Sequence, residues 1–209
     1  MDVQEFYDTI AKSWYNIRHW TIFREELKKM SDVWSGGKLL NVGCAHGSDF
    51  IPFDSRRFKF YGIDISKELL FLAKRYSQKF GLDVELFVGD MMALPFKDNS
   101  FDYIISIATL HHLMNREERI LALKEIKRVL SKEAFLTVWN RDNPELPNKE
   151  IIEREWKFGK EVLKRKYYLY TKKELEKELC EAGFEIKEMY TDKNKRNICA
   201  LIRPTKSPS

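Results

Sequence analysis

Gly43 and Gly47 enclose Cys44-Ala45-His46 directly after the apolar run Lys38–Val42. Glycines at such a strand end let the backbone turn tightly and approach a ligand closely. A helix starting there would offer its free N–H groups to a carboxylate or a ribose. Two further apolar runs end in acids, Phe58–Asp64 at Asp64 and Val84–Val88 at Gly89-Asp90, with Met91 next. An acid at the second end can accept both hydroxyls of a ribose. One at the third can accept the exocyclic amine of adenine while Met91 packs on the ring. Gly and Asp also close many strands as ordinary turn residues. Three such ends in register within about fifty residues favour a site for an adenosine-containing cofactor. The dinucleotide fingerprint G-x-G-x-x-G is absent, because Ala45 and Ser48 occupy its later positions. That speaks against NAD, and an acid reading adenine after the third strand fits S-adenosylmethionine better.

His111-His112 follow a fourth apolar run, Phe101–Ile107. Adjacent residues on a regular element point in different directions, so the pair is a poor metal site. Cys44, Cys180 and Cys199 form no C-x-x-C pair, so neither a zinc site nor a disulfide framework is expected.

The elements that must position these residues alternate. Residues 4–30 read as helix, with Phe6, Ile10, Trp14, Ile17, Phe23, Leu27 and Met30 at helical spacing. Ser66 caps a helix to about Phe80, with Glu68 in its first turn. A helix from about Arg116 to Leu130 would bury Ile120, Leu123, Ile126 and Leu130, and the strand Ala134–Trp139 follows. After Pro147 the sequence is helix-like to about Lys166, and Thr171–Ala182 is a helix ended by Gly183. Phe184–Tyr190 and Asn197–Arg203 read as an antiparallel strand pair. Alternation implies right-handed crossovers. The expected fold class is α/β, a doubly wound, Rossmann-like, mostly parallel sheet of about seven strands closed by that C-terminal pair. Ligands then bind at the carboxyl ends of strands where strand order reverses.

The chain has 209 residues, enough for one domain with a full core, and no Pro/Gly/Ser-rich linker divides it. One domain over 1–209 is expected, with residues 1–30 as a helical cap and 140–182 as a substrate-side insertion. A hydrophobic content of 44% excludes a mostly disordered chain. No apolar run approaches the roughly 20 residues of a membrane span. The acidic start, Met1-Asp2-Val3-Gln4-Glu5, lacks an apolar signal core, so a cytoplasmic protein is expected. Net charge is +5, and the whole excess lies from Lys149 onward. Any one of its clusters, such as Lys164-Arg165-Lys166, reads best as a solvated face. Interleaved with Tyr167, Tyr168 and Tyr170, they permit a nucleic-acid surface.

With these strand ends the sequence resembles the class I S-adenosylmethionine-dependent methyltransferases from about Tyr7 to Ile202. Asn41 stands where that family's first motif has an acid, and Ala45 where it has a glycine. A sharper resemblance is to the tRNA methyltransferases that esterify 5-carboxymethyluridine at the wobble position. Tyr7–Ala11 with Trp14 and Arg18 is similar to their opening helix. Ser106–His112 is similar to their fourth-strand motif, Arg116–Arg119 to the charged helix start after it, and Arg165–Tyr170 to their basic-aromatic segment. That segment usually reads Arg-Tyr-Tyr-His, and Lys166 and Tyr168 replace its first Tyr and its His. The Trp of a late Asp-x-Asp-Asn-Trp run is missing from Asp192–Arg196.

The resemblance implies S-adenosylmethionine as cofactor and tRNA as partner. It also implies a small zinc-binding activator protein docked on Val84–Val88, an apolar sheet edge that would invite pairing. No membrane and no metal are expected. The cofactor set is Tyr7, Gly43, Cys44, Gly47, Asp64, Ile65, Asp90, Met91 and Ile107. Arg18, His111 and Arg119 are the catalytic candidates, because a carboxylate is already ionised and needs orienting rather than a strong base. His112, Arg116, Trp139, Asn140, Arg165 and Tyr167 form the candidate substrate set. A methyltransferase of a small metabolite and a non-catalytic cofactor-binding subunit remain alternatives.

Overall fold

The computed structural model describes residues 1–158 and 161–205. Helices α1 (Val3–Ile17) and α2 (Arg24–Val33) precede β1 (Gly37–Val42), β2 (Phe58–Asp64), α3 (Lys67–Lys79), β3 (Val84–Val88) and β4 (Phe101–Ile107). Then come α4 (Arg116–Val129), β5 (Leu130–Trp139), β6 (Ile151–Phe158), β7 (Glu161–Tyr168), α5 (Lys172–Glu181), β8 (Phe184–Thr191) and β9 (Asn197–Pro204).

Seven strands form one sheet in the order β3-β2-β1-β4-β5-β9-β8, and β6-β7 form a separate two-stranded sheet. The pairings of β1 with β2 and β4, of β2 with β3, and of β4 with β5 are parallel. Those of β9 with β5 and β8 are antiparallel. In the central strand β1 the last four residues, Leu39 to Val42, are buried, with Leu40 and Val42 in one core and Leu39 in the other, as a sheet covered on both faces requires. The strand order reverses between β1 and β4, so their carboxyl ends open a crevice.

Two expectations are corrected. Residues 4–30 are not one helix: α1 ends at Ile17 and α2 begins at Arg24. The Thr21 hydroxyl accepts the Phe23 N–H at 3.2 Å, and the His19 carbonyl accepts the Tyr76 hydroxyl at 2.8 Å. Both contacts draw groups of the linker away from a helical ladder. The helix expected after Pro147 is instead the β6–β7 hairpin, apart from residues 159 and 160, which lie outside the described residues, as do 206–209 of the expected domain. Its sequence is rich in Glu, Lys and Arg, good helix formers, but tertiary packing decides. Ile152, Arg154 and Trp156 lie opposite Tyr167, Arg165 and Leu163, on one face of the hairpin. The Trp156 indole N–H reaches the Ser13 hydroxyl of α1 at 3.0 Å and its ring lies 5.6 Å from Trp14.

Candidate active site

At the end of β1 the chain turns at Gly43, whose φ of +75° suits glycine, and a Cβ there would collide with the Thr109 side chain. Ala45 holds a positive φ of 46°. Its N–H donates to Asp64 Oδ2 at 2.8 Å, while Ser66 N–H donates to Oδ1 at 2.9 Å. One carboxylate thus ties the tip of β2 to the loop after β1. Burial pushes the Asp64 carboxyl up to about 6, against the backbone donors that pull it down. The expected helix after Gly47 is a single 3-10 turn, Ser48–Phe50, and Gly47 itself does not line the crevice. Burial, reinforced by Asp64, pushes the Cys44 thiol up, so it stays protonated and is not a nucleophile.

A cavity of about 920 Å³ opens over these strand ends. Tyr7, Gly43, Cys44, Asp64, Ile65, Asp90, Met91 and Ile107 all line it, so eight of the nine expected cofactor residues converge. Asp90 is shaped by its own turn, accepting the Met92 N–H at 2.8 Å.

At the β4–β5 end the walls are aromatic. Trp139 and Tyr167 stack with centroids 4.6 Å apart, and His111 and His112 lie 4.8 Å from Trp139 and 5.1 Å from Tyr167 respectively. His111 Nδ1 accepts the Trp139 N–H at 3.2 Å, which leaves the proton on Nε2. His112 Nε2 lies 3.1 Å from the Tyr7 hydroxyl. Burial, and then the nearby Arg165 charge, push His111 down to about 3. Burial together with His111 and Arg165 pushes His112 well below its usual range. Both imidazoles are neutral at physiological pH. Arg18 also lines the cavity, with its guanidinium 5.7 Å from the Trp14 ring.

Four of the expected catalytic and substrate residues stand elsewhere. Arg119 does not reach the cavity: it is 3% exposed and held by Glu178 at 2.9 Å and by the Met114 carbonyl at 2.8 Å. Its guanidinium lies 3.6 Å from the Tyr168 ring. Those contacts use the planar fork that a substrate carboxylate would need, so the catalytic role expected of Arg119 is withdrawn. Arg116 is spent on Glu181 at the surface. Asn140 is buried, donating to the Lys195 carbonyl at 2.9 Å, and orders the loop after β5. Arg165 lies one layer behind the wall, 5.0 Å from the Tyr7 ring and 5.8 Å from that of Tyr167. Arg119→Leu should lower stability by about 3–5 kcal/mol, because Glu178 keeps a buried charge without its partner. Thermal or urea unfolding measures this, and the correctly folded fraction should keep its turnover.

Arg154 is a cavity residue that the sequence reading missed, since only strand alternation brings it to the face of Arg165. Arg154 and Arg165 are directly opposite across the hairpin, and among the described residues neither forms an ion pair.

Residues 40–138 match the methyltransferase domain family. A tRNA (carboxymethyluridine(34)-5-O)-methyltransferase of Xenopus tropicalis is 31% identical over 74% of this chain and 24% of its own length. A demethylmenaquinone methyltransferase of Staphylococcus aureus is 31% identical over 72% of this chain and 56% of its own. The chain belongs to the class I S-adenosylmethionine-dependent methyltransferase family. It spans about a quarter of the first relative and little more than half of the second. The methyltransferase shares its fold with a chain from a Haloferax volcanii complex of the Trm112 methyltransferase activator and a methyltransferase. Their TM-score is 0.74 at 15% identity, over the full length of both chains.

Proposed function

We propose that this methyltransferase esterifies the carboxylate of 5-carboxymethyluridine at the tRNA wobble position. The arginine pair carries the reading. Like charges directly opposite on a sheet destabilise it. A cation as buried as Arg165, 8% exposed, is costly without a counter-ion. An anionic substrate at the Arg154–Arg165–Arg18 end of the cavity would relieve both.

When bound, the cofactor supplies an electrophilic methyl group on a sulfonium. Asp64 would hold the ribose, and Asp90 with Met91 the adenine. Arg18 and Arg154 would orient the carboxylate by charge-assisted hydrogen bonds, and the Trp139–Tyr167 stack would hold the base ring. His111, neutral, donates from Nε2 and fixes the substrate without exchanging a proton. A carboxylate nucleophile suits this end because neither imidazole is basic enough to deprotonate a hydroxyl or a ring carbon near neutral pH. Three carboxymethyluridine-type relatives at 31% to 32% identity support the same substrate class. The stack would hold any planar ring, and with the demethylmenaquinone relative it favours a small metabolite as the second reading.

Incubation with the tritiated cofactor and bulk tRNA should label 5-carboxymethyluridine, and mild alkali should release the label as methanol. Alkali-stable label, or none in tRNA, would return the small-metabolite reading.

The activator would dock on β3. This strand is the open edge of the sheet, and Val88 is 51% exposed there. Leu86 and Phe87 pack against the two faces of the core, so charges at those positions would disturb the fold. Val88→Lys should abolish co-purification with a Trm112-type activator and leave the melting temperature nearly unchanged; undiminished co-purification would place the partner elsewhere.

A further inference from the structure

The cavity has a second aromatic pair that the proposed reaction does not use. Trp14 of α1 and Trp156 of β6 both line it, each half-buried, with ring centroids 5.6 Å apart and planes tilted by 34°. Two rings separate this pair from the Trp139–Tyr167 stack. Tyr7 lies 5.5 Å from Trp14 and 5.5 Å from His112, and His112 lies 5.1 Å from Tyr167. One wall thus carries two aromatic platforms. Fastening the hairpin to α1 does not call for a half-open indole pair. Leu163, opposite Trp156 on β7, already packs on the Phe6, Tyr7 and Ile10 cluster. An indole left half-open on a cavity presents a π-face that a further ring can cover. Charge decides what kind of ring. The Arg18 guanidinium lies 5.7 Å from the Trp14 ring, and Arg154 stands two residues before Trp156 on the same face of the hairpin. Among the described residues neither arginine forms an ion pair. Glu155 also lines the cavity, but Lys164 engages it at 3.5 Å. A neutral metabolite gains nothing from unpaired cations beside the rings, whereas a nucleotide brings a phosphate with its base.

We propose that the Trp14–Trp156 pair stacks the base of a nucleotide adjacent to the one whose carboxylate is methylated, a proposal that rests on the tRNA reading. Single-stranded RNA is held by splaying its bases onto aromatic side chains while cations follow its backbone. Two platforms in one cavity give each of two neighbouring bases its own ring. The added base packs on the open side of the pair, because insertion between the indoles would need two contact distances, about 7 Å. Every base has a π-face, so this contact adds affinity without reading sequence.

Methyl transfer to an anticodon stem-loop carrying 5-carboxymethyluridine tests this, with the loop intact or made abasic at the nucleotide before or after the modified one. In the wild-type enzyme one of the two abasic loops should raise KM roughly tenfold to hundredfold and leave kcat within about twofold. Trp156→Leu should raise KM for the intact loop by a similar factor, and the same abasic change should then add nothing. Trp156→Phe loses the bond to Ser13 as the leucine variant does, but it keeps a ring, so its KM should stay near the wild-type value. Calorimetry with S-adenosylhomocysteine should give wild-type affinity in both variants, as an intact fold requires. Independent losses from the abasic loop and Trp156→Leu, or equal losses in the phenylalanine and leucine variants, would overturn the proposal. Wild-type enzyme that methylated the intact loop and was indifferent to both abasic changes would also overturn it and leave esterification standing. Wild-type enzyme that left the intact loop unmethylated would overturn the esterification reading and the proposal with it.

Discussion

Asp64→Ala should weaken S-adenosylmethionine binding by more than tenfold. A hydrogen bond to a charged group contributes about 1.5–3 kcal/mol, and a ribose offers two hydroxyls. The substitution also leaves the Ala45 and Ser66 N–H groups without their acceptor. Ala45 then loses the contact that holds its positive φ of 46°, a conformation that costs a non-glycine residue about 1–3 kcal/mol. Asp64→Asn separates the two effects, because its amide oxygen can keep one backbone donor while the negative charge is gone. Isothermal calorimetry on both variants, with a circular dichroism check of folding, reads the result. Wild-type affinity in Asp64→Ala would remove the ribose assignment.

The same residue sets a pH dependence with opposite signs for binding and for folding. Burial raises the Asp64 and Asp49 carboxyls from the ordinary range to about 6 in the folded, ligand-free protein. A carboxyl raised on folding contributes stability that is full below its unfolded pKa and is lost as pH rises through its folded one. The ligand-free protein should therefore gain stability from these two groups between pH 7 and pH 4. Cofactor binding through the ribose needs the charged form of Asp64, so affinity should fall below about pH 6. Melting curves with and without cofactor should converge as the pH is lowered. Curves that stay parallel would mean that Asp64 does not contact the cofactor.

How much of this was legible depended on whether short-range pattern or tertiary packing decided each element. The apolar runs ending in Gly43, Asp64 and Asp90 are too short for helices and are bounded by turn residues, so they form strands, and in a parallel sheet their carboxyl ends lie at one edge. The places of Asp64, Met91 and His111 follow from this pattern alone. The β6–β7 hairpin could not. The face that carries Ile152, Trp156 and Tyr167 also carries Arg154 and Arg165, so its two-residue alternation is not an alternation of polarity. Composition pointed to helix, and Arg154 was lost with the hairpin. Arg119 failed for another reason. Its partner Glu178 lies 59 positions away on α5, and no local signal announces a buried ion pair between two helices. Only the packing of α4 on α5 shows that its charge is already neutralised.

Replacing Arg165 should separate activity from stability. Breaking a buried ion pair destabilises, but among the described residues Arg165 pairs with no acid, so Arg165→Met removes an uncompensated charge and keeps much of the packing on Phe6 and Tyr7. Its melting temperature should change little or rise, and the His111 and His112 imidazoles, which Arg165 helps to hold neutral, should become slightly more basic. Activity should move the other way. At about 6 Å and an effective dielectric near 20, a unit charge acts on a carboxylate with about 3 kcal/mol, enough to cost roughly a hundredfold in kcat/KM when removed. Arg154→Met should lose comparably, with more of the effect in KM because Arg154 lines the cavity. With wild-type enzyme and saturating cofactor, kcat should be flat from about pH 6 to 8, since a carboxylate substrate stays ionised there and neither imidazole titrates. A rate that climbs with pH through this range would reveal a base and an acceptor that must lose a proton. In that case the two arginines should matter little, and the esterification reading would fail on both measurements together.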